Sequence, residues 1–166
     1  MKIERFEDIE GWQLGRQLTS RIYAVTGKGR FASDRGLRDQ ITRAAGSIMH
    51  NVAEGFDAGS NAEFTKFLRY AQRSCTEVQS QLYVALDQKY VSQSEFEALY
   101  DSAKTCRSKI GGFIKYLLAY ETERKRNLEP RTSKTKNQEQ GTRNQEPRTK
   151  NQEPRTKNQE PRTKNA

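Results

Sequence analysis

The sequence predicts an all-α protein, an antiparallel up-and-down four-helix bundle with a disordered C-terminal tail. Three observations predict this class. Apolar residues recur at spacings of three and four over four long segments, and short polar or glycine-containing links separate those segments. No segment shows the alternation of a β-strand bounded by turn residues. Four long helices joined by short loops pack as antiparallel neighbours.

The first two predicted helices lie in the N-terminal third of the chain. The first covers residues 7–25, and its apolar face is Ile9, Trp12, Leu18, Ile22 and Val25. The link TGKGRFAS follows, and its Ser33 is suited to the N-cap of the next helix. The second helix covers residues 34–54, and its apolar face is Ile41, Ala44, Ala45, Ile48 and Val52. Gly55 then suits the left-handed position that ends a helix.

The other two predicted helices each begin at a capping-box pattern, Ser-x-x-Glu. Ser60 and Glu63 begin the third helix, whose apolar face is Phe64, Phe67, Leu68, Ala71, Cys75, Val78, Leu82 and Leu86. Ser94 and Glu97 begin the fourth, whose apolar face is Phe96, Leu99, Ala103, Cys106, Ile110, Phe113, Ile114 and Leu117. The glycine pair 111–112 inside it costs about 1 kcal/mol per residue relative to alanine, so a close helix contact is predicted there.

Composition divides the chain at Arg126. Residues 1–126 contain every Trp, Tyr, Phe, Ile, Val, Met and Cys, whereas Leu128 is the one large apolar residue of 127–166. Of the net charge of +9, the first part carries +4, from twenty Lys and Arg against sixteen Asp and Glu, and the second carries +5, from ten against five. The second part cannot offset its chain entropy by burial. We predict one helical domain, 1–126, and a disordered tail, 127–166.

The tail is a tandem repeat. The heptapeptide NQEPRTK occurs three times without interruption, at 144–150, 151–157 and 158–164. The heptanucleotide AACCAAG, read continuously through all three frames, encodes this heptapeptide, which indicates a tandem DNA repeat that has entered the gene. The alternative is a basic arm with weak, salt-sensitive attraction to nucleic acid. The first interpretation is favoured, so the tail is predicted to be dispensable.

Cysteine usage and hydropathy indicate neither a disulfide nor a membrane span. Cys75 and Cys106 fall on apolar helix faces, as small buried hydrophobes in a reducing cytosol do, and neither has a Cys or His at metal-ligand spacing. The N-terminus carries acids where a secretory signal would be apolar. No apolar run approaches the roughly 20 residues that span a bilayer. A cytoplasmic protein is predicted.

Candidate catalytic residues are few. His50 is the chain's one histidine, and we interpret it as a helix-surface or boundary residue rather than a base. Di-iron bundles need Glu-x-x-His pairs on facing helices, and the sequence has none. P-loop and dinucleotide-binding patterns are also absent. We therefore predict no catalytic activity, no cofactor and no metal.

A polar stripe runs beside the apolar face of the second predicted helix at the same spacing. Its residues are Gln40, Arg43, Ser47, Asn51 and Glu54. Such a row can hold a ligand, or it can fix the register of helices and subunits through hydrogen bonds. We favour the second hypothesis, a structural or oligomer network in which Arg43 pairs with Glu54, with Glu77 of the third helix or with another acid.

Cations cluster on the second and third predicted helices. The candidate nucleic-acid contacts are Arg35, Arg38, Lys66, Arg69 and Arg73. The last three share one helix face at i, i+3 and i+7, with Tyr70 close by for stacking. Three cations on one face are common on solvated helices, so an ordinary solvated face is the favoured interpretation. The functional hypothesis is low-affinity, sequence-independent binding to RNA or DNA.

The second and third helices together carry a longer motif. It comprises Leu37 to Ile41, Arg43 to Ala45, Ser47-Ile48, Asn51 to Gly55, Ser60, Glu63-Phe64, Phe67-Leu68, Ala71, Ser74, Glu77 and Gln81-Leu82. This motif resembles the signature of a bacterial four-helix-bundle family, known also from proteins encoded by intervening sequences within large-subunit ribosomal RNA genes and labelled S23 ribosomal protein. The resemblance covers about residues 5–118 and leaves the tail outside.

The resemblance implies a ring-like homopentamer. One relative, the accessory variability protein of diversity-generating retroelements, is a basic pentamer that binds reverse transcriptase and nucleic acid, whereas most members have no established activity. This chain departs from that relative in being only mildly basic within 1–126. The expected function is therefore a non-enzymatic homo-oligomer with weak nucleic-acid binding. The alternative is an interaction scaffold or retroelement accessory protein that binds a reverse transcriptase.

Overall fold

The computed structural model describes residues 3–128, and every regular element among them is helical. A 3-10 turn, Phe6–Asp8, precedes five α-helices. They are α1 (Glu10–Thr26), α2 (Gly29–Ser33), α3 (Arg35–Asp57), α4 (Asn61–Asp87) and α5 (Gln93–Leu128). The four long helices pack in chain order, and α1 also packs on α5, so the bundle closes on itself. The predicted four-helix bundle is confirmed.

Contacts between α4 and α5 give their relative direction. Asn61, at the start of α4, donates a hydrogen bond to Glu121 near the end of α5, 2.9 Å away. Farther along α4, the Gln72 amide donates to the carbonyl of Arg107, at 3.1 Å, nearer the start of α5. Residue numbers therefore rise along one helix while they fall along the other. The two helices are antiparallel.

The link between the first two long helices differs from its prediction. It contains the short helix α2, whose Phe31 is buried in the core. The N-cap of α3 is Asp34 and not Ser33, because the Asp34 carboxylate accepts a hydrogen bond of 3.0 Å from the amide of Leu37. Ser33 is instead the last residue of α2.

Gly55 does not end its helix. The helix α3 continues to Asp57, and Gly29 is the one glycine with a positive φ among residues 3–128. A Cβ atom built on Gly55 would lie 2.7 Å from Cδ2 of Phe64 and 2.7 Å from Cβ of Phe67. The glycine is thus required by close packing of α3 on α4, and the predicted C-cap role is wrong.

The cap of α5 lies two residues before its predicted position. The Ser92 hydroxyl accepts a hydrogen bond of 3.2 Å from the amide of Glu95, whose carboxylate accepts one of 2.8 Å from the amide of Ser92. The sequence SQSEFE holds two overlapping Ser-x-x-Glu patterns. Starting the helix at the first one buries both Val91 and Phe96, the two positions that form a hydrophobic staple. The predicted cap at Ser60 is confirmed, since its hydroxyl accepts from the amide of Glu63.

The helix α5 continues past Leu117, the last residue of its predicted apolar face, and ends at Leu128. Asn127 and Leu128, which composition assigns to the tail, belong to this helix. The rest of the predicted tail lies outside the described residues, and so does its predicted disorder. Over the described part of the chain, no helix is long and apolar enough to cross a bilayer.

The two cysteines are buried in the core where α4 and α5 meet. Cys75 and Cys106 are free thiols, and both are inaccessible to solvent. Cys106 also lies against α1, where its thiol donates to the carbonyl of Gly11 at 3.5 Å. The hydrogen bond with Cys106, together with burial, raises the pKa of the Cys75 thiol well above its usual range. Their predicted role as buried hydrophobes is confirmed.

This burial predicts that both thiols resist labelling in the native protein. An aromatic disulfide reagent reacts with the thiolate, which burial and the raised pKa of Cys75 suppress. We expect absorbance of the released thiolate to rise only as fast as the bundle unfolds, and to give two thiols per chain after addition of denaturant. A fast phase in native buffer would contradict this prediction.

The glycine pair of α5 has two different environments. A Cβ atom on Gly111 would lie 2.7 Å from the Gln72 amide nitrogen, whereas one on Gly112 would meet no atom within 4 Å. The predicted close helix contact therefore exists at Gly111 and does not extend to Gly112.

Candidate nucleic-acid interface

The first part of the candidate interface is a row of cations on α4. Lys66, Arg69 and Arg73 are all exposed on one outer face of this helix, as their spacing predicts. None of them forms an ion pair with any residue of the described range 3–128. The Arg73 guanidinium carbon lies 5.9 Å from the ring centroid of Tyr70, which is 37% exposed.

A second row lies beside it on α5. Gly111 faces α4, since it packs against Gln72. Lys104, Arg107 and Lys115 stand seven residues before Gly111, four before and four after, which places them on the same side of the helix. All three are exposed and, within 3–128, have no ion pair.

The register of the two helices brings these rows level. Gln72 contacts Arg107, and Asn61 contacts Glu121. Counting along the antiparallel helices from these contacts places Arg73 beside Arg107 and Lys66 near Lys115. We call the six exposed cations the basic band. Its members are Lys66, Arg69, Arg73, Lys104, Arg107 and Lys115.

The two segments that carry the basic band contain no acidic residue. Neither 64–76 of α4 nor 102–120 of α5 includes Asp or Glu. The remaining cation of the second segment, Lys109, points to α1 and pairs with Glu10 at 2.8 Å. The basic band therefore has no acidic residue within either segment, and the exposed acids Glu63 and Glu77 border its α4 row. Its α5 half was missed from the sequence, although the lack of acids over 102–120 was a readable signal.

Two predicted contacts lie away from the basic band. Arg35 and Arg38 are in the first turns of α3, at the opposite end of the α3–α4 pair from the contact between Gly55 and Phe64. Arg38 donates to the carbonyl of Ala32 at 3.1 Å and pairs with Asp39 at 3.3 Å, so its guanidinium has local partners. The structure does not bring these two arginines together with Lys66, Arg69 and Arg73.

The polar stripe lies along the outer edge of the α3–α4 contact. Gln40, Arg43 and Glu54 are exposed, whereas Ser47 and Asn51 are half-buried. The Asn51 amide donates to the carbonyl of Ser47 at 2.7 Å, within α3. Over residues 3–128 no hydrogen bond or ion pair joins the stripe to another helix. The expected pairing of Arg43 with Glu54 or Glu77 is not formed within one chain.

The facing edge of α4 is also short of partners. The Gln81 amide nitrogen donates to the exposed carboxylate of Glu77, 3.4 Å away in the same helix. The other amide atom, Oε1 of Gln81, is buried and has no hydrogen-bond partner in the described chain. Burying an amide oxygen without a partner costs free energy, and native proteins avoid it. Within residues 3–128, the α4 side of this edge therefore holds one buried acceptor that has no partner.

The remaining candidate sites are His50, possible metal ligands and one open cleft. His50 is exposed, as predicted, and within 3–128 no group of three or more His, Cys, Asp or Glu side chains could hold a metal ion. An open cleft of about 910 Å³ lies at one end of the bundle, between the α3–α4 loop and the last turns of α5. Aromatic side chains, among them Phe56, Phe113 and Tyr120, form part of its lining together with polar and charged residues, and Asn61 is hydrogen-bonded to Glu121 there.

Comparison with known proteins identifies relatives of the fold. The family model described as 23S rRNA-intervening sequence protein matches residues 7–112, more than half of the chain. One similar solved structure is a protein of unknown function from the S23 ribosomal protein family of Bacteroides thetaiotaomicron VPI-5482, at 20% identity and a TM-score of 0.59. The match covers 63% of this chain and 95% of that one. No curated protein gives a significant match.

Proposed function

We propose that this chain, which belongs to the 23S rRNA-intervening sequence protein family, binds nucleic acid through the basic band, weakly and without sequence preference. The observation that carries the proposal is the pairing of two cation rows on adjacent helices with no acid between them. A cation that already has a carboxylate partner must lose it to bind a phosphate. The six members of the basic band have none within the described chain.

The expected lack of sequence preference follows from the shape of the surface. Bases of a duplex are read by elements that enter a groove, whereas phosphates are contacted by any accessible cation. The basic band lies on the outer faces of two packed helices, and its side chains are Lys and Arg. Such a surface neutralises phosphates and releases counterions, which gives binding that depends steeply on salt.

The test is a salt titration of the full chain with a fluorescent RNA, followed by anisotropy. On duplex nucleic acid the logarithm of the binding constant should fall by about 0.9 per phosphate contact for each tenfold rise in salt. A variant with Lys66, Arg69 and Arg73 all changed to Gln keeps the tail but loses about three phosphate contacts. Its salt slope should be smaller by the contribution of those three contacts. Unchanged binding by this variant would assign the attraction to another part of the chain and contradict the proposal.

We propose as a second function self-association through the polar stripe, with the pentamer of the resemblance as the expected state. The specific observation is the buried Oε1 of Gln81, on the α4 edge that faces the stripe, which has no hydrogen-bond partner within 3–128. Arg43 and Glu54 of the stripe are exposed and form no ion pair within the same residues. A second copy could supply partners for these groups. The alternative is a protein partner such as a reverse transcriptase. A reverse-transcriptase gene next to the gene of this chain would favour that alternative.

Light scattering on the full chain checks the self-association. We expect a mass that is a multiple of 19.1 kDa, five-fold for a pentamer, and a lower mass after Arg43→Glu, which would place two like charges in the contact. The matched control is Arg16→Glu, the same charge reversal on the exposed face of α1. A monomer at every concentration would overturn this second proposal.

A further inference from the structure

The geometry of α4 points to a more specific ligand: we infer that the nucleic acid held by the basic band is single-stranded, and that one of its bases stacks at Tyr70. This inference rests on the proposed nucleic-acid binding and names the class of strand. It is carried by the position of one aromatic ring among the cations of the band.

Tyr70 lies between two members of the basic band. Lys66 precedes it by four residues and Arg73 follows it by three, so all three side chains share the outer face of α4. The ring is 37% exposed. The Arg73 guanidinium carbon lies 5.9 Å from its centroid, and the ring of Phe67 packs edge to face with it at 6.1 Å and 89°. The ring is thus held in place by its neighbours while part of its surface stays open to solvent.

This arrangement matches what a single strand requires. Proteins that bind single strands combine cations along the backbone with aromatic side chains on which unpaired bases stack. The Arg73 guanidinium lies over the Tyr70 ring. Bases stack on guanidinium planes as well as on rings, so a base at this position stacks on the ring or on the guanidinium that lies over it. Lys66 and Arg69, four residues and one residue before Tyr70, are then near enough to contact phosphates next to the stacked base.

A duplex would not use this ring. Its bases are already stacked on one another and lie behind two phosphate backbones. A tyrosine on the outer surface of a helix has too short a reach to part them. The basic band can still attract a duplex by charge, and Tyr70 would then contribute nothing. Dependence on Tyr70 therefore separates the two ligands.

Tyr83 supplies a matched control on the same helix. It is 51% exposed and lies three to four turns farther along α4, beyond the last cation of the band. Its ring packs on Phe96 and Tyr100 of α5, at centroid distances of 5.0 and 5.7 Å. Replacing this tyrosine removes an exposed ring of the same type without touching the basic band.

The experiment measures binding of the full chain to three labelled probes with equal numbers of phosphates: an oligouridylate, an oligodeoxythymidylate and an RNA duplex. We expect Tyr70→Leu to weaken binding of the single strands about tenfold and to change duplex binding less than about twofold. Tyr70→Phe should retain the wild-type affinity, because it keeps the ring, and Tyr83→Leu should retain it as well. Thermal unfolding of each variant verifies the fold.

The outcomes distinguish this inference from the proposed function. Dependence on Tyr70 with either single strand, and not with the duplex, supports the inference. Salt-dependent binding that is equal for all three probes and indifferent to Tyr70→Leu overturns it and leaves the proposed function standing. Absence of binding to every probe at low salt overturns both.

Discussion

Replacing Gly55 by alanine is expected to lower the free energy of unfolding by about 2 kcal/mol, although alanine is the better helix former. The new Cβ would lie 2.7 Å from Cβ of Phe67 and 2.7 Å from the ring of Phe64. Phe67 Cβ is fixed to the backbone of α4, so relief requires the two helices to move apart. Overpacking of this kind costs about 1–3 kcal/mol, and here the upper end should apply before helix propensity returns about 1 kcal/mol.

Gly112→Ala is the matched control for this prediction. Gly112 is also a helix-interior glycine, but an added Cβ would meet no atom within 4 Å. The alanine should therefore raise the free energy of unfolding by about 1 kcal/mol through helix propensity alone. Urea unfolding followed by circular dichroism measures both variants. Equal changes of the same sign would show that contact with Phe64 and Phe67 does not decide the effect.

The helices themselves could be predicted from the sequence because each has a continuous apolar face. Their ends could not be predicted with the same certainty. Gly55 follows a helical segment and precedes polar residues, which is the local pattern of a C-cap, yet contact with α4 decides its role. At the start of α5, two overlapping capping patterns differ only in which apolar residues they bury, and burial of Val91 selects the first. Both errors arise where packing between helices overrides a local signal.

Of the candidate site, the α4 row could be predicted from the sequence and the α5 row could not, again because packing between helices decides the second. Lys66, Arg69 and Arg73 are neighbours on one helix, so spacing alone places them together. Arg107 joins them only through the register of α4 against α5, which depends on contacts such as that of Gln72 with α5. The polar stripe was located correctly on α3, but its partners were not, because the structure gives Arg43 no acid within the described chain. Single-helix geometry was readable, and relations between helices were not.

The α5 half of the basic band gives the second large expected effect. Changing Lys104, Arg107 and Lys115 together to Gln should weaken binding of a single strand about 100-fold at 0.1 M salt, since each lost phosphate contact removes about 0.7 from the salt slope. The reason is loss of counterion release, which needs the cation beside the phosphate. Anisotropy with the oligouridylate over a range of salt concentrations measures the affinity and the slope together. The slope should fall by about 2.

A control with the same change in net charge makes this prediction specific. Arg16, Arg30 and Arg35 are exposed cations outside the basic band, and Arg35 is one of the contacts predicted from the sequence. Changing these three to Gln alters the long-range field as much as the α5 variant does, and salt near 0.1 M screens such charges beyond about 10 Å. The control should therefore keep the wild-type slope. If it instead weakens binding as much as the α5 variant, net charge alone would explain the attraction, and the basic band would lose its role.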